Sequence, residues 1–262
     1  MGRFDGILIC SDLDGTVAVG TEVPERNLQA IRYFQSEGGR FSLFTGRVAG
    51  YEEQFPFRSN APIVTENGAR IYDPETRRTL WTFPLDGCGM LLEWLDKSPI
   101  LKGKITCSLC FTDALEMVMT GELVDAFLKH TTGDLLKVVC RHVGPETSAL
   151  LLQKEAQETF GSRYNVNRSW ATGVEFISPL GGKGNCLKHL KSLLEDVHTA
   201  IAVGDYENDL SMLLAADRGF APSNALPQVR EAAEQILCDC RQGAIGDLIE
   251  RLDQEYQGGI LK

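Results

Sequence analysis

The sequence has no excess of basic residues and no cluster of them. Its 262 residues include 26 Lys and Arg against 36 Asp and Glu, which gives a net charge of −10. Nucleic-acid-binding domains usually carry concentrated positive charge that meets the phosphates. We therefore expect no nucleic acid partner.

Long apolar runs are also missing. No run approaches the roughly 20 residues that cross a bilayer, and the N-terminus lacks the apolar core and small-residue cleavage site of a signal peptide. The composition, 43% hydrophobic and 24% charged, is typical of a globular protein. These features predict a cytoplasmic protein without a membrane partner, long enough for one large domain or two smaller ones.

Histidine is scarce, and cysteine is not spaced as in a zinc site. The four histidines lie outside every motif described below, so we assign them no catalytic role. The pairs Cys107-x-x-Cys110 and Cys238-x-Cys240 fall in predicted strands, without a tight knuckle or a partner histidine at zinc-finger spacing. Reduced thiols are therefore favoured over structural zinc.

The first conspicuous stretch is the apolar run from Ile7 to Cys10, which Asp12 and Asp14 follow closely. Such a run predicts a strand that is buried on both faces, as in a parallel sheet. Side chains alternate along an extended chain, so the two carboxylates start toward the same side, and Gly15 lets the backbone turn away. Two acids so close repel each other unless a cation lies between them. This stretch alone indicates a cation site or a polar loop with helix-capping aspartates, with nothing to choose between them.

Strands and helices alternate up to residue 83. The pattern predicts a helix that starts at Pro24, buries one apolar face and ends before Gly38. The next strand runs into Thr45-Gly46. The remaining predicted elements of this part are strands at 41–44 and 62–65 and a hairpin of 69–72 with 79–83.

The segment 84–179 has a different character. Its strands and helices do not alternate regularly, which is typical of a small α+β layer. The predicted strands lie at 105–112, 137–142, 163–167 and 174–177, and the predicted helices at 122–131 and 146–160. We interpret this segment as a domain inserted into the first one, with boundaries near Pro84 and Gly181-Gly182.

Regular alternation resumes after the insertion. The predicted helices lie at 185–194, 226–234 and 244–256, and the predicted strands at 200–203, 219–221 and 235–238. A further helix is predicted to begin within Gly204 to Asp209 and to run through Ala216. Alternating strands and helices with short connections predict a doubly wound, mainly parallel sheet. Ligands of such sheets bind outside the carboxyl ends of the strands.

Four features of the sequence lie at predicted strand ends or helix starts. They are Asp12-x-Asp14, Thr45-Gly46, Lys183 and Gly204-Asp205-x-x-Asn208-Asp209. Each by itself is explained equally well by a surface charge or a helix cap. Together and in this order, they resemble the four motifs of the haloacid dehalogenase superfamily. The sequence is most similar to the Cof-like branch of small-molecule phosphatases, in which an α/β cap is inserted between the second and third motifs.

The resemblance covers nearly the whole chain, because Asn67-Gly68-Ala69 and Gly182-Lys183-Gly184 match as well. It implies an α/β fold with a doubly wound, mainly parallel Rossmann-like core (1–83 and 180–262) and an inserted α+β cap (84–179). One departure is Ala221 to Ala225, where the family more often has Met-Gly-Asn-Ala; Pro222 stiffens that loop and puts substrate contacts from it in doubt. A dinucleotide-binding interpretation fails, since no Gly-x-Gly-x-x-Gly follows the first strand.

The resemblance also implies roles for individual residues. Asp12 would attack phosphorus to form an aspartyl-phosphate, and Asp14 would exchange a proton with the leaving oxygen and then with water. Mg²⁺ would be held by the carboxylates of Asp12 and Asp205 and the backbone carbonyl of Asp14, with Asp209 or Asn208 assisting. Residues expected to bind the substrate are Thr45, Gly46, Asn67, Lys183 and Asn208; Thr45 and Lys183 would hold phosphoryl oxygens.

Two positions keep two interpretations each. Asn67-Gly68 is either a plain turn or a substrate-facing loop. Arg47 is either an outward ion-pairing residue, which we favour, or a substrate contact.

These residues predict a Mg²⁺-dependent phosphatase of small phosphorylated metabolites, sugar phosphates foremost, acting as a monomer or a homodimer. A phosphomutase on the same scaffold is the second enzyme hypothesis. A catalytically silent phospho-ligand-binding protein is the third, and the complete set of motif residues argues against it.

Overall fold

The computed structural model describes residues 2–101 and 105–258. The chain forms two compact units: unit 1 comprises residues 1–80 and 183–262, and unit 2 comprises residues 81–182. The boundaries expected from the sequence, before 84 and after 179, lie within a few residues of these. Residues 1, 102–104 and 259–262 belong to the expected core and cap segments but lie outside the described residues.

The strands and helices follow one another in an order close to the predicted one. The strands are β1 (Ile7–Ser11), β2 (Arg40–Leu43), β3 (Ile63–Thr65), β4 (Arg70–Asp73), β5 (Arg78–Thr82), β6 (Thr106–Phe111), β7 (Leu115–Met119), β8 (Leu135–Cys140), β9 (Asn165–Asn167), β10 (Val174–Ile177), β11 (Thr199–Val203), β12 (Arg218–Pro222) and β13 (Gln235–Leu237). The α-helices are α1 (Glu25–Ser36), α2 (Gly89–Lys97), α3 (Leu123–Lys129), α4 (Glu146–Phe160), α5 (Lys183–Leu193), α6 (Leu210–Ala215), α7 (Pro227–Ala232) and α8 (Ala244–Gln257). Short 3₁₀ turns lie at Tyr51–Gln54, Glu207–Asp209 and Cys240–Gln242.

The central sheet of unit 1 has the strand order β13-β12-β11-β1-β2, and its described pairs are all parallel. β1 lies between β11 and β2, and all five of its residues are buried, as its apolar run predicts. Its last residue, Ser11, pairs with Val203 on one side and Leu43 on the other, so these three strands end together. The predicted mainly parallel α/β core is confirmed.

Helices cover both faces of this sheet. α1 and α8 pack on each other and share one hydrophobic cluster with Ile7 and Ile9. Cys10 points to the other side of β1 and lies near Cys186 of α5. This two-sided cover explains why β1 is apolar throughout rather than alternating.

Helix α1 shows how the sequence determines its ends. Pro24 adopts an extended conformation just before the first turn, where its missing N–H costs no hydrogen bond. The predicted apolar face is the buried one, and Leu28, Ile31 and Phe34 lie on it. Asn27 is also buried; its amide donates to the carbonyl of Val17 and accepts the backbone N–H of Gly246, which fixes α1 against its neighbours.

The strand predicted at 62–65 does not extend the parallel sheet. β3 pairs antiparallel with β4 in a separate sheet ordered β3-β4-β5, and a single bridge from Phe44 to Val64 joins it to the end of β2. The tight turn after Thr65 brings the chain straight back, so β4 becomes its main partner. Likewise, β13 ends at Leu237, so the prediction that Cys238 and Cys240 lie in a strand is wrong. All eight cysteines are free thiols.

Unit 2 has its own antiparallel sheet, in the order β7-β6-β8-β10-β9. Alternate residues of β6, including Leu109 and Phe111, join a hydrophobic cluster to which α2, α3 and α4 contribute. Two elements were not predicted. α2 begins beside Gly87 and Gly89, which favour a turn, and β7 is a partly exposed edge strand without clear alternation. No helix within the described residues combines the length and apolar character needed to cross a membrane.

Candidate active site

The candidate site of unit 1 lies where β1, β2 and β11 end. The backbone N–H of Asp12 donates to the carbonyl of Val203 at 2.9 Å, and the N–H of Phe44 donates to the carbonyl of Ser11 at 2.8 Å. The parallel register therefore continues one residue beyond the strands. As a result, Asp12, Thr45 and Asp205 all follow strand ends at the same edge of the sheet.

Three carboxylates converge at this edge. One oxygen from each of Asp12, Asp205 and Asp209 lies within 4.8 Å of the others. The Nζ of Lys183 donates to Oδ1 of Asp12 at 2.6 Å and to Oδ1 of Asp209 at 2.5 Å. Burial alone would lower the pKa of Lys183, but the two carboxylates outweigh burial and raise it above its usual value. Lys183 is therefore a buried, charged ammonium.

Asp209 also fixes the loop that carries Asp205. Its second oxygen, Oδ2, accepts the backbone N–H groups of Asp205 and Tyr206 at 2.9 and 3.1 Å. A Cβ at Gly204 would lie 2.3 Å from the Cβ of Asp209, so only glycine fits there. Since both Asp209 oxygens are engaged, its contacts favour the role of orienting Asp205 and Lys183.

Asp205 is partly buried, and its carboxylate makes no ion pair with a described residue. Its Oδ1 accepts a hydrogen bond from the Thr16 hydroxyl at 2.8 Å. Gly15 has a φ of +87°, and a Cβ there would lie 2.5 Å from Oδ2 of Asp205. Burial, followed by the charge of Asp209, raises the pKa of Asp205 to about 7. The three carboxylates offer hard oxygen donors, and the single ammonium of Lys183 does not balance their charge. This set of donors fits a divalent cation of the Mg²⁺ type.

Asp14 takes no part in this cluster through its side chain. Its carboxylate, 38% exposed, accepts two hydrogen bonds from the Arg47 guanidinium: Nε to Oδ2 and Nη2 to Oδ1, both 2.9 Å. Arg47 thus forms an ion pair, the interpretation that the sequence favoured, but its partner is a residue of the candidate site. The arrangement leaves the side chains of Asp12 and Asp14 in different surroundings.

The turn at Glu66-Asn67-Gly68 has three consecutive left-handed residues, with φ values of +49°, +60° and +94°. Such conformations are rare for residues with a side chain and need support from the surroundings. The N–H of Asn67 donates to the carbonyl of Thr45, and the N–H of Glu66 donates to the carbonyl of Arg47. The turn is therefore fixed to the segment that follows β2.

Asn67 is also joined to the third strand end. It is 3% exposed, and its Oδ1 accepts the Asn208 amide at 2.9 Å. A Cβ at Gly46 would lie only 3.1 Å from this Oδ1. Oδ1 of Asn208 is buried and has no hydrogen-bond partner in the part of the chain that the structure describes. The predicted residues Gly46 and Asn208 therefore both lie against Asn67. Oδ1 of Asn208 remains able to accept a hydrogen bond from a ligand.

Comparison with known proteins agrees with this geometry. The chain matches the family model of haloacid dehalogenase-like hydrolases over residues 9–120 and 111–249. The protein belongs to this family. Its Cof-like, phosphatase-type character, which the motifs predicted, is confirmed.

Three relatives of this haloacid dehalogenase family member illustrate the similarity. The 5-amino-6-(5-phospho-D-ribitylamino)uracil phosphatase YitU of Bacillus subtilis (strain 168) is 24% identical, over 95% of this chain and 97% of its own. The structure of a haloacid dehalogenase-like hydrolase from B. subtilis superposes with a TM-score of 0.80 at 20% identity, covering 94% of this chain and 99% of its own. The subclass IIB sugar phosphatase BT4131 has a TM-score of 0.71 at 16% identity, covering 94% and 98%. The two structures show the shared fold.

Sequence reasoning missed two residues of the site in this family member. Thr16 lies two residues after Asp14, and nothing in the sequence indicated its hydrogen bond to Asp205. Asn224 donates to the carbonyl of Gly15 and accepts the backbone N–H of Cys240, both at 2.9 Å. The only signal was its place in the matching but altered Ala221 to Ala225 stretch.

The expectation that Pro222 stiffens a loop is wrong. Pro222 is the last residue of β12 and is in register with Leu237 of β13. The loop proper begins after it, and Asn224 there supports the turn after Asp14 through Gly15.

Proposed function

We propose that this protein is a Mg²⁺-dependent phosphatase that hydrolyses small phosphorylated metabolites, sugar phosphates foremost, through an aspartyl-phosphate on Asp12. The observation that carries the proposal is the buried contact of the Asp12 carboxylate with Lys183, beside Asp205 and Asp209. A carboxylate next to a fixed ammonium and a cation site can meet a phosphoryl group, whose negative charge would otherwise repel it.

In the proposed reaction, an oxygen of Asp12 attacks phosphorus and the bond from phosphorus to the leaving oxygen breaks. Asp14 gives its proton to that oxygen, which departs as an alcohol. Asp14 then takes a proton from water as the water attacks the aspartyl-phosphate, which releases inorganic phosphate and restores Asp12. The contact of Asp12 with Lys183 inside the carboxylate cluster, from which the Asp14 side chain is absent, supports Asp12 as the nucleophile.

Thr45 and Lys183 are assigned to the remaining phosphoryl oxygens. Thr45 is buried at the end of β2, and its hydroxyl oxygen accepts the backbone N–H of Arg47 at 3.1 Å, which leaves the hydroxyl proton for a ligand. Lys183 is the first residue of α5, where N–H groups at a helix start favour anions. Gly46, Asn67 and Asn208 are assigned to the substrate beside them.

We assign Mg²⁺ to the carboxylates of Asp12 and Asp205 and the backbone carbonyl of Asp14, with Asp209 orienting them. When bound, the ion would neutralise charge on the phosphoryl oxygens. The hard oxygen donors and the raised pKa of Asp205 support this assignment.

The direct test is a panel of phosphorylated metabolites incubated with the purified protein and Mg²⁺. We expect release of inorganic phosphate, with the highest kcat/KM among sugar phosphates. An isomerised sugar phosphate without inorganic phosphate would identify a phosphomutase instead. Binding without turnover of any compound would show a silent phospho-ligand-binding protein.

We assign substrate selection to the inserted segment 84–179, acting as a lid. The residues assigned to chemistry all belong to unit 1, so discrimination between leaving groups has to come largely from elsewhere, using binding energy from the non-reacting part of the substrate. Each unit has its own hydrophobic cluster. A protein with residues 81–182 replaced by a short linker should therefore fold, hydrolyse an activated aryl phosphate weakly and lose most preference among metabolites. An unchanged ranking of kcat/KM across the panel would contradict this assignment.

In the metal-free protein, the contribution of Asp205 to the free energy of unfolding should fall as pH rises from about 4 to about 7. Asp205 has a pKa of about 7 in the folded protein, against a usual value of 3.8, so the folded state holds this proton more tightly than the unfolded chain. Its contribution is therefore complete below the unfolded pKa and is lost as pH passes up through the folded pKa. Mg²⁺ needs the deprotonated carboxylate, so the increase in Tm that it causes should grow over the same range.

Thermal unfolding at a series of pH values, with chelator or with Mg²⁺, measures this effect. Asp205→Asn is the matched variant, since it should flatten the pH dependence. An increase in Tm with Mg²⁺ that stays constant from pH 4 to 7 would contradict the assignment of Asp205 to the ion.

A further inference from the structure

The ion pair between Arg47 and Asp14 differs from the other charged contacts of the site because it lies at the surface. Both side chains are well exposed, 46% and 38%. Exposed ion pairs usually contribute little to stability. This one is bidentate, however, with two N–H···O distances of 2.9 Å, the geometry in which the arginine fork fixes a carboxylate plane.

Arg47 is the only described residue whose side chain hydrogen-bonds to the Asp14 carboxylate. Without it, Asp14 would be a short, exposed side chain on a turn, free to change rotamer. The orientation of the Asp14 carboxylate therefore depends on Arg47.

Arg47 is itself held at three points. Its Cζ lies 4.5 Å from the centre of the Tyr51 ring, a distance typical of cation–π stacking. Its N–H donates to the Thr45 hydroxyl, and its carbonyl accepts the N–H of Glu66. The backbone of Arg47 is thus fixed to the end of β2 and to the left-handed turn at 66–68, and its guanidinium stacks on Tyr51.

We propose that Arg47, supported by Tyr51, is a positioning residue that aims the Asp14 carboxyl group at the leaving oxygen. The proposal rests on the function proposed above. A general acid has to lie within hydrogen-bond reach of the oxygen that it protonates, and small losses of orientation reduce the rate strongly. The fork geometry matters, so a lysine at this position would supply charge without the same alignment.

The test uses three aryl phosphates of similar shape, phenyl, 4-nitrophenyl and 2,4-dinitrophenyl phosphate, with the full-length protein and Mg²⁺. Phenolate needs protonation to leave, whereas dinitrophenolate departs without it. In Arg47→Ala, kcat/KM should fall about tenfold for phenyl phosphate and less than about threefold for dinitrophenyl phosphate. The dependence of log kcat/KM on leaving-group pKa should become steeper, a change that loss of general stability would not cause.

Conservative variants distinguish three contributions: the alignment by the Arg47 guanidinium, its positive charge, and the stacking of the Tyr51 ring. Arg47→Lys should recover only part of the loss. Tyr51→Ala should steepen the dependence in the same direction but less, and Tyr51→Phe should behave as wild type because the stacking ring remains. Arg40→Ala is the matched control, since Arg40 makes an exposed ion pair with Asp196 at the other end of β2, and it should leave the slope unchanged.

Three outcomes would overturn the proposal: an equal loss for all three substrates, a loss confined to KM, or faster turnover of phenyl phosphate. The last would mean that Arg47 restrains Asp14 rather than aims it. Failure of the proposed function is distinguishable, because wild-type protein would then release phosphate from none of the three compounds.

Discussion

Replacing Asp12 with asparagine is expected to reduce phosphate release by about four orders of magnitude or more while the protein stays folded. Asparagine keeps the size of aspartate but lacks the negative oxygen that attacks phosphorus. Its amide oxygen can still accept the hydrogen bond of Lys183, which lies 2.6 Å from Oδ1 in the wild type. The buried ammonium therefore keeps two partners, since Asp209 is unchanged.

The measurement is single-turnover and steady-state phosphate release, together with circular dichroism and Tm for the fold. Asp196→Asn is the matched control, because Asp196 forms an exposed ion pair with Arg40 outside the site. That variant should keep wild-type activity. Near wild-type turnover in Asp12→Asn would mean that another group is the nucleophile.

Chelation should abolish activity, and added Mg²⁺ should restore it. Without the ion, the three carboxylates of the cluster would outnumber the single ammonium of Lys183, and the excess negative charge would repel an anionic substrate. Ca²⁺ should substitute poorly, because its larger and looser coordination shell does not hold the near-octahedral geometry that Mg²⁺ imposes.

Asp205→Asn extends this test to the assigned ligand. It should weaken the activation by Mg²⁺ and reduce the increase in Tm that Mg²⁺ causes, a readout that needs no turnover. Asp196→Asn serves again as the control. Full activity of the wild-type protein in excess chelator would show that the reaction does not need a metal ion.

The core of the fold could be predicted because its pattern is local. β1 is a continuous apolar run with covered faces on both sides, and α1 has Pro24 at its start and a regular apolar face. β3 has a similarly apolar sequence, but its partner depends on the turn that follows it. α2 was not predicted because the glycines at its start favour a turn. β7 was not predicted because its apolar and polar residues do not alternate clearly, and such alternation is the signal that indicates a strand.

For the candidate site, the sequence could predict which residues lie at the same edge of the sheet. Parallel strands end at one edge, so the sequence was enough to bring Asp12, Thr45 and Asp205 near one another. It could not show which side chains meet, because that depends on directions taken after the chain leaves each strand. The pairs Arg47 with Asp14 and Asn208 with Asn67 are of this kind.

The position of β1 between β2 and β11 also constrains the order of assembly. β1 and β11 are separated along the chain by all of unit 2, so their pairing closes a very long loop. Unit 2 is one continuous segment, and all of its strands precede β11. During synthesis, the centre of the main sheet is therefore completed after the inserted unit, and Asp12 and Asp205 can meet only at that late stage.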